Sequence, residues 1–167
     1  MRITRSVFIL TGLLLVAGDR AAIAQQPPKY GVIVGAAKTA ELVKAKTYSW
    51  TPSQPSFDKT IDAQIVAAVD HELMVLGFTK VATGKSDVVA TYASQRRTDV
   101  ELKATGAREF PVGVLIVELR AAANSDPLFR VRIDKPLDVE RNQLEPAIKA
   151  AVAAMFEQYP TRTAPKR

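Results

Sequence analysis

The stretch VLIVELRAAANSDPLFRVRI, Val114 to Ile133, constrains the fold more than any other part of the chain. It begins as an almost unbroken apolar run and ends with charge at alternate positions. Side chains along a strand point to opposite faces in turn. With that period, Leu115, Val117 and Leu119 share a face with Phe129, Val131 and Ile133 once the halves fold back through Asn124-Ser125-Asp126-Pro127, a turn-forming tetrapeptide. The second face receives Glu118, Arg120, Arg130, Arg132 and Asp134. This is the pattern of an antiparallel hairpin in a sheet covered on one side. The charged row reads most simply as the solvated side, where opposed cross-strand charges contribute roughly 0.2–1 kcal/mol each. The other reading is a site for an acidic ligand, with Arg120, Arg130 and Arg132 as candidate binding residues. Val114 and Ile116 fall on the same face, so part of it is a candidate for cover by a loop or a partner.

Two helical periods flank the strands. Ile61, Ile65, Ala68, Val69, Leu73 and Leu76 recur at three- and four-residue steps, with Asp58 placed as N-cap and Gly77 as C-terminal stop. Near the C-terminus, Ile148, Ala151, Val152, Met155, Phe156 and Tyr159 form one stripe, with Pro146 in the first turn and Pro160 as the end. Further strands are expected at Tyr30–Val34, Leu42–Trp50, Phe78–Val81, Ser86–Gln95 and Asp99–Ala104. Thr105-Gly106 is expected to turn the chain, and the residues up to Pro111 to form a loop. No repeat or shift in composition divides the sequence. The expected fold is α+β in two layers: a mostly antiparallel sheet of four to six strands with two amphipathic helices on one face.

The N-terminus has the three parts of a secretory signal peptide. Arg2 and Arg5 precede a 12-residue apolar run, Val7 to Gly18, and Ala22-Ile23-Ala24 offers small residues at the −3 and −1 positions. Twelve helical residues cover about 18 Å, short of a hydrocarbon core of roughly 30 Å, so an uncleaved anchor is the lesser reading. The expected division is a signal peptide at 1–24, a single domain at 25–160 after an extended leader at 25–29, and a disordered basic tail at 161–167. The expected compartment is the periplasm. The net charge of +6 comes largely from the ends of the chain. Arg2, Arg5, Arg20 and Asp19 leave with the signal, and Arg162, Lys166 and Arg167 sit in the tail. What remains is close to neutral, and the aromatic residues are not interleaved with basic ones, so no nucleic-acid groove is indicated.

Most chemistries lack their residues. With no cysteine, thiol catalysis, disulfides and thiolate-bound metals are excluded. His71, the single histidine, lies in DHEL; a zinc protease helix needs a second histidine four positions on, where Val75 stands. Asp70, His71 and Glu72 diverge by about 100° per residue on a helix, so they make a poor metal site, and His71 is expected at the surface. TGKSD, Thr83 to Asp87, lacks the earlier glycine of a phosphate loop, Thr79 standing there instead, and reads as a turn. No serine lies in a G-x-S-x-G turn. A carboxylate pair assembled in space stays open, though nothing in the sequence selects one. Tyr48 and Trp50 are expected in the core or at its rim. No cofactor or metal is implied.

The order KTYSW (Lys46 to Trp50), LGF (Leu76 to Phe78), SDVVATY (Ser86 to Tyr92), VGVLIVELRAA (Val112 to Ala122), LFRV (Leu128 to Val131) and AVAAMFEQYP (Ala151 to Pro160) resembles a bacterial envelope family known as domain of unknown function 4136. The resemblance implies an exported α+β sandwich, often lipid-anchored to the outer membrane, with no established catalytic residues. Two departures stand out. The lipid-accepting cysteine is missing, which suggests a free periplasmic protein, and the family's Trp-Arg-Gly late in the hairpin is replaced by Phe129-Arg130-Val131. The expected function is a non-catalytic accessory or binding protein of the cell envelope with an envelope protein as partner. The alternatives are a carrier of a small apolar or lipid ligand, or an enzyme with a spatially assembled carboxylate site.

Overall fold

The computed structural model describes residues 30–163 except 52–53, 57, 83–84 and 138–139. The expected signal segment and leader, Thr83 and Gly84 of the TGKSD turn, and tail residues 164–167 lie outside the described residues. Six strands form one sheet: β1 (Gly31–Ala37), β2 (Thr47–Trp50), β3 (Thr79–Lys80), β4 (Val88–Lys103), β5 (Gly106–Ala121) and β6 (Pro127–Pro136). Their order is β1-β6-β5-β4-β2-β3. The pairs β1–β6, β6–β5 and β5–β4 are antiparallel, whereas β2 runs parallel to both β4 and β3. Parallel neighbours need a crossover. Helix α2 (Lys59–Val75) supplies it between β2 and β3.

The ends of α2 follow from sequence chemistry. Asp58 Oδ1 accepts the Thr60 N–H at 2.8 Å, satisfying one of the orphan donors of the first turn. At the other end Gly77 adopts φ +87°, a left-handed conformation that suits glycine. The Phe78 N–H then reaches back to the Leu73 carbonyl at 2.9 Å and the Gly77 N–H to that of Met74 at 2.9 Å. Both halves of a Schellman stop are present, and Phe78 and Leu73 are buried together.

Alternation on the hairpin is as the sequence predicts. Val117, Leu119, Phe129 and Val131 are fully buried, with Leu115 and Ile133 nearly so. They pack with Val88, Ala90 and Tyr92 of β4, with Ile65, Val69 and Leu73 of α2, and with Val152, Met155 and Phe156 of α3 (Leu144–Phe156). Both long helices therefore cover the same sheet face. Phe129, Phe156 and Tyr159 form an aromatic knot, with ring centroids 5.2–6.5 Å apart. Tyr48 is buried, and Trp50 packs at the rim, edge-on to Tyr92 at 5.9 Å.

Polar residues of α2 hold the helix to the sheet. Asp70 Oδ1 accepts from the Tyr48 hydroxyl at 2.6 Å and from the Trp50 indole at 2.8 Å, while Lys80 Nζ lies 2.8 Å from Asp70 Oδ2. Two turns earlier, Asp62 Oδ1 accepts from the Tyr92 hydroxyl at 2.8 Å. Burial first, then these carboxylates, raise both phenols, Tyr92 to about 12.

Several boundaries differ from expectation. Leu42 does not start β2; it ends a short helix, α1 (Thr39–Leu42), because Leu42 and Ala45 turn one apolar edge inward at a helical step. The two strands expected between Ser86 and Ala104 are one 16-residue strand, β4. The expected loop before Pro111 is also strand. Residues 106–111 pair with 98–103, and Pro111 costs no ladder hydrogen bond to a third strand because β6 ends opposite Val112. Pro160 does not simply end the last helix. α3 stops at Phe156, and Pro160 starts a further turn, α4 (Pro160–Thr163). Arg162, which the sequence assigns to the disordered basic tail at 161–167, lies in α4 with Nη1 2.9 Å from Glu72 Oε2. On β1, Gly35 is an extra residue between the pairs Val34–Val131 and Ala36–Arg130, a bulge in the edge strand.

Candidate functional site

The face of the sheet turned away from the helices carries the charged row, and the structure divides it in two. In the half towards the β4–β5 turn, Arg132 Nε lies 2.6 Å and Nη2 2.8 Å from the two oxygens of Asp134. Arg97 on β4 reaches the same carboxylate with Nη1 and holds Asp99 through Nε at 2.9 Å. The Tyr30 hydroxyl donates to Asp99 at 2.8 Å and its ring meets Phe110 at 6.2 Å. Asp134 is only 5% exposed, and Val112 and Val114 on the same face are buried. Hydrogen bonds from Arg132 and then Arg97 hold the Asp134 carboxyl below its usual range despite burial; Asp99 and then Asp134 raise the Arg97 guanidinium, and Asp134 raises that of Arg132. Two arginines and two aspartates leave this half locally neutral.

The other half is a groove of about 590 Å³. Its floor is Ala93 of β4 and Ile116 of β5, and the walls include Gln95, Thr91, Thr51 and Gln54. Gln54 lies beside β4: its N–H donates to the Tyr92 carbonyl at 3.1 Å and its carbonyl accepts from the Ser94 N–H at 3.2 Å. Glu118 lies within the groove with its side chain 9% exposed, and Arg120 Nη2 meets its Oε2 at 3.0 Å. Arg130 stands opposite Glu118 on β6, its stem lying across Gly35 at the β1 bulge. Among the described residues the Arg130 guanidinium has no carboxylate partner. Two cations against one anion give the groove an uncommitted positive charge.

Of the three arginines singled out from sequence, the structure brings Arg120 and Arg130 into one groove and places Arg132 in the closed network. Glu118, Thr51 and Gln54 were not among the sequence candidates. Glu118 shares the strand parity of Arg120, so its face was legible, but its burial depends on walls from distant segments. His71 is exposed, as expected. Its neighbours serve elsewhere, Asp70 at Tyr48 and Glu72 at Arg162. Of TGKSD, Asp87 caps the start of β2. Its Oδ2 accepts the Lys46 N–H at 2.9 Å, the Thr47 N–H at 2.9 Å and the Thr47 hydroxyl at 2.8 Å, and these bonds lower its pKa. No group of three or more metal-ligating side chains occurs among the described residues, and no helix there is long and apolar enough to cross a membrane.

Fold and open face together define a two-layer α+β domain that keeps one sheet face free of helices and sets a charged groove in it. The profile of DUF4136, a domain of unknown function, matches residues 34–161, and the chain belongs to that family. No curated protein matches it in sequence. Among solved structures it is similar to the PelC dodecamer from Paraburkholderia phytofirmans, at 12% identity and TM-score 0.54, over 75% of this chain and 94% of that one. It is also similar to a PDZ domain protein from Parabacteroides distasonis, at 12% identity and TM-score 0.51, over 70% of this chain. There it spans about a third of the partner structure's length (32%). At such identities the likeness is one of fold.

Proposed function

We propose that this chain is an exported accessory protein of the cell envelope that acts by binding, with a partner seated on the open face of its sheet. The observation that carries this reading is the groove: an apolar floor, a buried Glu118 engaged by Arg120, and Arg130 without a counter-charge. Burying a cation without a partner is costly, so such an arrangement is complementary to a surface that brings an acidic group. The signal-like N-terminus supports export to the periplasm, and the similarity in fold to the PelC dodecamer supports work within a multi-subunit complex.

The alternatives have less support. Glycoside-type acid–base chemistry needs two carboxylates across a cleft, and among the described residues Glu118 is the single carboxylate lining the groove. A carrier of an apolar ligand would hold it between helices and sheet, whereas the groove lies on the opposite face and is rimmed by polar groups. The test is a photo-crosslinking amino acid at Gln95 in living cells, with Ala67 on the exposed side of α2 as control. Adducts at Gln95 and none at Ala67 are expected. Recovery of uncrosslinked monomer from both positions would overturn the reading.

A further inference from the structure

The β4–β5 hairpin outruns the rest of the sheet. β6 ends at Pro136, opposite Val112, and the Gln54 wall reaches no farther along β4 than Ser94. Beyond these points six residue pairs, Thr98–Pro111 to Lys103–Gly106, pair with no third strand among the described residues, and the Pro111 carbonyl at the base accepts the Leu137 N–H at 2.8 Å. They form a two-stranded ribbon projecting about 17 Å at 3.4 Å per pair. Tyr30 braces its base through Asp99 and Phe110. One face of the ribbon presents Val100, 47% exposed, and Leu102, 83% exposed, with Glu109 directly across from Val100. Among the described residues Glu109 has no ion-pair partner. Two bare aliphatic side chains and a free carboxylate on a projecting arm are the converse of an apolar floor beside a free guanidinium.

We propose that the groove takes the ribbon tip of a second copy of this chain, with Val100 and Leu102 against Ala93 and Ile116 and with Glu109 against Arg130. This rests on the reading of the open face as a partner-binding surface and names the partner. The arm of the same chain cannot fill the groove, since it extends away from it along the same two strands. Charge and polarity match at each point: an unpaired acid meets an unpaired base, and exposed aliphatics meet an apolar floor. The two surfaces differ, so the contact is head-to-tail. Such contacts close into rings or run on as filaments.

The experiment uses the full chain, expressed with its own N-terminal segment, purified from the envelope and followed by native mass spectrometry and sedimentation velocity. The wild type is expected to assemble beyond a dimer. Glu109→Arg and Arg130→Glu should each weaken assembly about tenfold or more, the scale of a reversed interfacial charge pair. Combining both in one chain restores it, because each junction again joins opposite charges. An equimolar mixture of the two single variants assembles again with the two chains in alternation, since the reversed arm fits the reversed groove and the native arm the native groove. Leu102→Glu should weaken assembly with an unchanged melting temperature, which separates docking from folding. A wild type that stays monomeric up to about 100 μM, where micromolar association would be saturated, overturns the inference. So does a double variant no better than the singles. If Gln95 then crosslinks a different protein, the inference falls and the binding reading stands; no adduct of any kind sinks both.

Discussion

Arg130 and Arg132 stand two residues apart on β6 and point to the same side of the sheet. Arg132 lies in a bidentate grip on Asp134, which Arg97 shares and which Tyr30 and Asp99 continue. Arg130 faces a glutamate already engaged by Arg120 and lies over the bulge at Gly35. Like residues on one strand thus serve different ends. In one half, charges are matched in number and fixed by neighbours two residues away or across the ladder, so the half acts as structure. In the other, a cation is left over beside an apolar floor, and the surface is equipped for contact. Residue type does not separate these roles; the count of opposite charges within reach does.

The sharpest way to break this comparison is Asp134→Ala. It leaves two guanidinium groups without their shared acceptor on a carboxylate site 5% exposed. Breaking a buried pair costs about 3–5 kcal/mol; solvent access to the arginines reduces the expected loss to about 2–3 kcal/mol in urea denaturation. A loss below about 0.5 kcal/mol, typical of an ordinary surface site, would mean the network is ornamental.

Acid sharpens the same point. The folded-state pKa of Asp134 is depressed, by Arg132 and then Arg97. Its contribution is therefore complete above the unfolded carboxylate value of about 3.9 and is lost as pH falls through the lower folded value. Melting temperatures of the wild type should fall more steeply below pH 4 or so than those of Asp134→Asn, which has no such proton to take up. Parallel curves would refute the assignment. In the groove, Glu118→Gln removes one charge-assisted contact with Arg120, and the expected cost is about 1 kcal/mol by thermal melt. Smallest of all, Arg130→Ala should change stability by no more than about 0.5 kcal/mol while reducing self-association. Destabilisation on the scale of Asp134→Ala would show that Arg130 is structural too.

Much of this frame is legible in the residues. The period of two in Leu115–Leu119 and Phe129–Ile133 fixes which side faces the helices, and the DxxI…LGF signals place both ends of α2. The arm was hidden for a local reason. Arg96-Arg97-Thr98 interrupts the apolar alternation of β4, while Gly106 and Pro111 read as loop. Yet outside the covered sheet neither face needs to be apolar, and a free edge tolerates proline. Leu42 to Lys46 carries both a strand-like and a helical reading over too few residues for periodicity to decide. Asp62 and Asp70 look like solvent residues in a helix that buries Ile65, Ala68, Val69 and Leu73. Their phenol and indole partners lie 20 to 30 positions away. Of the candidate site, strand parity yields the shared face of Arg120, Arg130 and Arg132. The partner each arginine takes depends on register between strands, which a single sequence does not carry.

The kink at Gly35 has a consequence for the protein's fate in concentrated solution. The rim strand Gly31–Ala37 bears no charged or proline residue to repel a visiting strand, and Val34 is open to water. Its defence is the interruption itself, which splits seven residues into two runs, each shorter than the six or so that template a cross-β stack. Deleting Gly35 is expected to straighten that rim into one continuous ladder and to raise its tendency to template fibrils.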